Sequence, residues 1–139
     1  MTRNIDSTKL AQSFLIRTKR GHMKWERAER GSPYFQEFSG TESPQECYVS
    51  RVAGKNGSSA TVGVFRVIYS QYDSENEFYH HTTGHEIVLY SRDAAAISRV
   101  QVPYVVAEQL FDEARINAHS KDLDVFREFL DVENSEDET

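Results

Sequence analysis

Apolar residues near the start of the chain recur at the three- and four-residue spacing of a helix. They are Leu10, Ala11, Phe14 and Leu15. Asp6 or Ser7 can cap the first turn, and Gly21 suits the left-handed residue that ends a helix. The pattern therefore predicts a helix over residues 6–20.

From residue 22 the pattern changes to the alternation of apolar and polar positions that is typical of strands. The segments are separated by turns rich in glycine, serine and asparagine. We predict six strands, over residues 22–26, 34–38, 47–53, 60–70, 78–82 and 85–91. The fourth is rich in β-branched and aromatic residues and is expected at the centre of the sheet. Short strands joined by local turns predict an antiparallel meander.

Helical spacing returns after Pro103, which suits the first turn of a second helix. Its predicted buried side consists of Tyr104, Ala107, Leu110, Phe111, Ala114 and Ala118. Ser120 can cap a third helix, and its apolar residues are expected to pack inward. These are Leu123, Phe126, Phe129 and Leu130. The sequence thus predicts an α+β fold in which the two C-terminal helices pack on one face of the sheet.

Length and composition favour one domain. The chain has 139 residues, of which 38% are hydrophobic, and a core of that size needs no metal or disulfide to fold. We predict a single domain over residues 1–132, followed by an acidic mobile tail over residues 133–139.

Charge is distributed unevenly along the chain. The net charge is −6, but residues 1–30 carry eight Lys or Arg against three acidic residues, whereas residues 101–139 carry eleven acidic residues against three basic ones. The two ends either attract each other within the fold or face partners of opposite sign.

Targeting signals are not evident in the pattern. Polar residues interrupt the apolar positions near the N-terminus, and no stretch approaches the roughly 20 apolar residues that cross a bilayer. Cys47 is the one cysteine, so an internal disulfide is excluded. We expect a cytoplasmic protein that has no membrane contact and no cofactor.

A histidine-rich segment is the densest group of potential metal ligands. With Thr83-Gly84 as a tight turn, His81 lies opposite Glu86 across a hairpin; with a loop one residue longer, His81 lies opposite His85. His81, His85 and Glu86 are therefore candidate ligands of a divalent metal. Polar residues at an exposed hairpin end are the alternative interpretation.

Basic and aromatic residues suggest two kinds of binding surface. Arg20, Lys24 and Arg27 could contact phosphates of a nucleic acid, with Trp25 stacking on a base, although alternation predicts that Trp25 is buried. Tyrosines are frequent on the predicted strands, and Tyr69, Tyr79 and Tyr90 are candidates for an aromatic sheet face. Such a face would bind a partner or line a ligand pocket.

Several classes of function remain open. We find no convincing catalytic set, and our first hypothesis is a non-enzymatic protein-interaction or regulatory module. It would use an exposed sheet face or edge, self-associate as a homodimer, and offer its acidic third helix and tail to a basic partner surface. The alternative is a small-ligand-binding or hydrolytic domain on a curved sheet, and the third hypothesis is nucleic-acid binding.

Overall fold

The computed structural model describes residues 7–38 and 40–137, the last seven through their backbone alone. Three α-helices, one 3₁₀ helix and five strands follow one another in this part of the chain. They are α1 (Ser7–Lys19), β1 (Glu26–Arg27), the 3₁₀ helix (Pro33–Glu37), β2 (Glu42–Ala53), β3 (Ser59–Asp73), β4 (Phe78–Tyr90), β5 (Ala96–Val100), α2 (Tyr104–Ala118) and α3 (Ser120–Asp137).

The strands form one antiparallel sheet in the order β1-β2-β3-β4-β5. The predicted α+β class, N-terminal helix, antiparallel meander and two C-terminal helices are confirmed, and β3 is the central strand. The number of strands is five rather than six.

The predicted hairpin at Thr83-Gly84 is wrong. Residues 78–90 form one continuous strand that pairs with β3 throughout, and Gly84 lies opposite Val67. A Cβ atom at Gly84 would lie 2.5 Å from Cε2 of Tyr69. The glycine therefore makes room for an aromatic ring on the neighbouring strand. Such a close approach is a common reason for glycine in the interior of a strand.

Four further differences from the prediction concern the strands. Of the strand predicted over residues 34–38, residues 34–37 belong to the 3₁₀ helix, where Pro33 fixes the backbone at the start. Strand β2 begins at Glu42, five residues before the start predicted for the third strand. Strand β5, which is only five residues long, was not predicted. Of the strand predicted over residues 22–26, only Glu26 belongs to β1.

Helices α1 and α2 cover one face of the sheet. Ala11 and Phe14 of α1 and Leu110 and Phe111 of α2 belong to the same buried cluster as Trp25. The strands contribute Tyr48, Val62, Val64, Ile87 and Val100 to this cluster. The predicted inward side of α2 is confirmed at Ala107, Leu110, Phe111 and Ala114, whereas Tyr104 is 74% exposed.

The segment between β1 and β2 covers the opposite face. Ala28 and Phe38 pack there against Cys47, Phe65 and other strand residues. Phe35 and Phe38 meet the ring of Phe65 edge to face, at centroid distances of 5.6 and 4.7 Å. The middle of the sheet is consequently buried on both faces.

Helix α3 does not bury the side chains that periodicity assigned to the core. Leu123, Phe126, Phe129 and Leu130 are 45% to 69% exposed, which corrects the prediction that they pack inward. The helix continues to Asp137. The predicted mobile tail over residues 133–139 includes side chains and end residues that lie outside the described part. Within the described residues, no helix combines the length and apolar content required to cross a membrane.

Candidate functional site

The exposed side of α3 forms the largest group of solvent-facing apolar side chains on one element of the described chain. We call it the α3 apolar face and define it as Leu123, Val125, Phe126, Phe129 and Leu130. These five side chains are 45% to 69% exposed, so that together they present on the order of 500 Å² of apolar surface, given roughly 150–250 Å² for a whole aromatic side chain. Patches of that size on a monomer are commonly functional.

His119 joins α3 to the body of the protein. It lies between the last residue of α2 and the first residue of α3. Its Nε2 atom is 3.1 Å from the Tyr48 hydroxyl, and its Nδ1 atom is 3.2 Å from Oδ2 of Asp122. The imidazole therefore connects β2 to the first turn of α3.

The acceptors at this junction indicate which group donates each hydrogen bond. The Tyr48 hydroxyl donates to Oε1 of Glu46 at 2.6 Å. Burial raises the pKa of Glu46, but hydrogen bonding from Tyr48 and the charge of Arg66 outweigh it, so the pKa is lowered and the carboxyl is ionised at neutral pH. Since Tyr48 has a single proton, its oxygen must accept from His119, and the Asp122 carboxylate also accepts. The His119 ring is therefore held at both of its nitrogen atoms.

Tyr48 is held firmly in this network. It is fully buried, and its ring meets Phe111 edge to face at 5.5 Å. Burial, and then the hydrogen bond to Glu46, raise the pKa of Tyr48 to about 12. The hydroxyl therefore stays protonated at neutral pH and fixes the position of the His119 ring.

Basic residues surround the root of α3. A cavity of about 430 Å³ lies there, between β1 and the α2–α3 junction. Lys24, Arg27 and Lys121 line it together with one carboxylate, Glu26. We call this cavity the basic groove.

The charge of α3 is concentrated towards its end. By sequence, residues 120–127 carry two basic and two acidic residues, whereas residues 128–137 carry five acidic residues and no basic one. The first half of the helix is neutral and the second half is strongly acidic. Parallel and antiparallel pairing with a partner helix therefore differ in electrostatic energy.

The predicted aromatic surface is not one surface. Tyr69 and Tyr90 lie on the sheet face beneath the 3₁₀ segment, where Tyr69 donates to Glu86 and Tyr90 donates to the carbonyl of Tyr34 at 2.9 Å. Tyr79 is 60% exposed at the far end of the β3–β4 hairpin. Two of the three tyrosines are thus used inside the fold.

The predicted nucleic-acid residues are partly accessible. Arg20, Lys24 and Arg27 are exposed. Trp25 is only 3% exposed, and its Nε1 donates to Thr18 at 2.9 Å. The buried indole is therefore not available to stack on a base.

The candidate metal ligands lie along a single strand and do not converge. His81 and His85 project from one face of β4 and Glu86 from the other, because side chains alternate along a strand. Burial lowers the pKa of His85, whose ring packs 5.0 Å from that of Phe111. No group of three potential ligands occurs in the part of the chain that the structure describes.

Neither a family model nor a curated protein nor a solved structure matches the chain. The candidate site therefore has to be interpreted from its own geometry.

Sequence reasoning missed the α3 junction. His119 had no neighbour along the chain that marked it as a partner of Tyr48, which lies 71 positions away. The available signal was the position of His119 between two helical patterns, since a helix boundary places a polar side chain where a strand can reach it.

Proposed function

We propose that this protein is a non-enzymatic protein-interaction module that self-associates through α3. The observation that supports this function is the exposure of the α3 apolar face, from 45% at Leu123 to 69% at Phe129. A helix that leaves several large apolar side chains in solvent is typical of a docking element.

The size of the face fits a dimer. A standard interface buries about 800 Å² on each partner, and its centre is apolar with a polar rim. The α3 apolar face contributes about 500 Å² of apolar surface, and the flanking charged residues of α3 and of the basic groove supply a rim. The apolar face of a second α3 offers the same chemistry, so one surface serves both copies.

Charge determines the direction of pairing. Parallel helices would place two acidic ends side by side, which like charges disfavour. Antiparallel helices place the acidic end of each copy at the root of the other, where Lys24, Arg27 and Lys121 line the basic groove. The 18-residue helix is about 27 Å long, so its end reaches the root of its antiparallel neighbour.

Helical spacing provides a matching register. Leu123, Phe126 and Leu130 follow one another at the three- and four-residue intervals of a coiled-coil seam. In an antiparallel pair centred near Phe126, Leu123 of one copy meets Leu130 of the other. The arrangement is a two-fold dimer in which each helix is both docking element and docking surface.

Sedimentation equilibrium of the full chain tests this function. The wild-type protein is expected to show a reversible monomer–dimer equilibrium, and the double variant F126S/F129S is expected to raise its dissociation constant at least about tenfold, or about 1.4 kcal/mol. The matched control is Ile97→Ser, because Ile97 is 65% exposed on β5 and far along the chain from α3. We expect I97S to dimerise like the wild type.

Two results would contradict the proposal. One is a wild-type chain that stays monomeric up to about 1 mM, a dissociation constant of negligible biological value. The other is an equal loss of association in I97S and F126S/F129S, because it would show that any apolar surface residue contributes alike.

A further inference from the structure

A second site lies on the helix-covered face of the sheet, beyond the end of the helical layer. A cavity of about 430 Å³ opens there, with β2, β3 and β4 as its floor. We call it the arginine groove. Its lining residues are Arg27, Arg30, Gln45, Glu46, Arg66, Ile68 and Thr83.

We propose that the arginine groove binds a small organic or inorganic anion that carries two or more phosphate or carboxylate groups. Three arginines line a space large enough for such a ligand. Planar guanidinium forks match the oxygens of carboxylates and phosphates and remain charged at every physiological pH.

The positive charge of the groove is largely uncompensated. Glu46 is the one carboxylate among its lining residues. Both oxygens of Glu46 already accept hydrogen bonds, Oε1 from Tyr48 and Oε2 from Arg66. With three arginines against this one carboxylate, the lining of the groove holds a formal net charge of about +2.

Two of the arginines have donors to spare. The Arg27 side chain interacts with Glu46 through its charge, while the Glu46 oxygens take their hydrogen bonds from Tyr48 and Arg66. Arg30 reaches the Gln45 carbonyl and side-chain oxygen only at 3.4 Å, near the limit of a hydrogen bond. An anion can take these guanidinium groups without breaking a strong contact within the protein.

The remaining lining residues suit an anion with a short carbon or phosphoanhydride backbone. Thr83 can donate a hydroxyl proton, the Gln45 amide can donate or accept, and Ile68 provides an apolar floor. Arg66 is held in place by its ion pair with Glu46 and by its guanidinium over the Phe111 ring, 5.5 Å from the centroid. A fixed cation beside two adaptable ones is a common arrangement for recognising a charged ligand.

Isothermal titration calorimetry of the full chain tests this site. The probes are pyrophosphate and citrate, titrated at about 150 mM salt so that diffuse charge attraction is screened. We expect saturable binding of one anion per chain with a dissociation constant below about 1 mM for at least one probe. Binding of pyrophosphate alone identifies a phosphate ligand, and binding of citrate alone identifies a carboxylate ligand.

Variants separate the groove from general surface charge. Arg30→Gln is expected to weaken binding about tenfold, since it removes a charge-assisted contact. Arg92→Gln is the matched control, because Arg92 is exposed in the turn between β4 and β5, and it should bind within about twofold of the wild type. The proposal is overturned if neither probe binds at about 5 mM, or if R92Q loses as much affinity as R30Q.

Discussion

Replacing Phe111 with alanine is expected to lower the free energy of unfolding by about 3–5 kcal/mol. Phe111 is 1% exposed and lies between α2 and the sheet. Its ring packs against Tyr48 and His85 at centroid distances of 5.5 and 5.0 Å. Truncation leaves a cavity where the helical layer meets the strands, and chemical denaturation followed by circular dichroism measures the loss.

The control for this prediction is Tyr104→Ala on the same helix. Tyr104 is 74% exposed, so its truncation should change stability by less than about 0.5 kcal/mol. If F111A does not fold well enough to be measured, Phe111→Leu keeps most of the volume and should cost less than about 1.5 kcal/mol. A loss below about 1 kcal/mol in F111A would mean that α2 does not depend on this ring for its packing.

Replacing Gly84 with alanine is expected to cost about 2–4 kcal/mol, although the change adds a single methyl group. The new Cβ would lie 2.5 Å from Cε2 of Tyr69, so the ring must move. Tyr69 donates to Glu86, and a displaced ring leaves that carboxylate without its partner. Strain and a lost charge-assisted hydrogen bond therefore add together.

A double-mutant cycle isolates the cause of this loss. In a Tyr69→Ala background the methyl group meets open space, and Gly84→Ala should then cost less than about 0.5 kcal/mol. Gly31→Ala is the matched control, because a Cβ there meets nothing within 4 Å. If G84A is equally costly with and without the Tyr69 ring, its effect does not come from the ring contact.

Gly84 also shows why local pattern failed to predict β4. The dipeptide Thr83-Gly84 has the composition of a tight turn, and nothing in its neighbourhood reveals that Tyr69 lies across the strand pair. A glycine that accommodates a ring from a neighbouring strand and a glycine that turns the chain are identical in sequence. The metal hypothesis rested on this turn, and the single strand leaves its three residues apart.

Elements with long, regular periodicity were predicted well. The helix expected over residues 6–20 is α1 at Ser7–Lys19, and the helix after Pro103 is α2. Both bury an apolar stripe against the sheet, so that local spacing and tertiary packing agree. The short segment at residues 34–38 gave the wrong element because five residues contain too little periodicity to distinguish a strand from a 3₁₀ helix.

The candidate site was predicted only in part. Periodicity correctly indicated an amphipathic third helix, but an apolar stripe contains no information about what covers it. The sequence analysis assigned the stripe to the core, whereas the structure leaves it exposed. The uneven charge of the two ends was already evident in sequence, and it is the feature that fixes the direction of the proposed dimer.

The hydrogen bonds at His119 orient α3 relative to the sheet. Glu46, Tyr48, His119 and Asp122 form a chain of hydrogen bonds from β2 to the first turn of the helix. A helix held at its root and exposed beyond it can present its apolar face in a defined direction. This supports the interpretation of α3 as a docking element.

Cross-linking of mixed isotopic copies tests the antiparallel dimer most directly. Full chains labelled with nitrogen-14 and nitrogen-15 are mixed and treated with a carbodiimide, which joins an amine to a carboxylate that it already contacts. We expect mixed-label cross-links between Lys24 or Lys121 of one copy and a carboxylate of residues 128–137 of the other. If every cross-link from these lysines joins two residues of the same label, and none is mixed, the cross-links lie within one copy. That result would contradict self-association through α3.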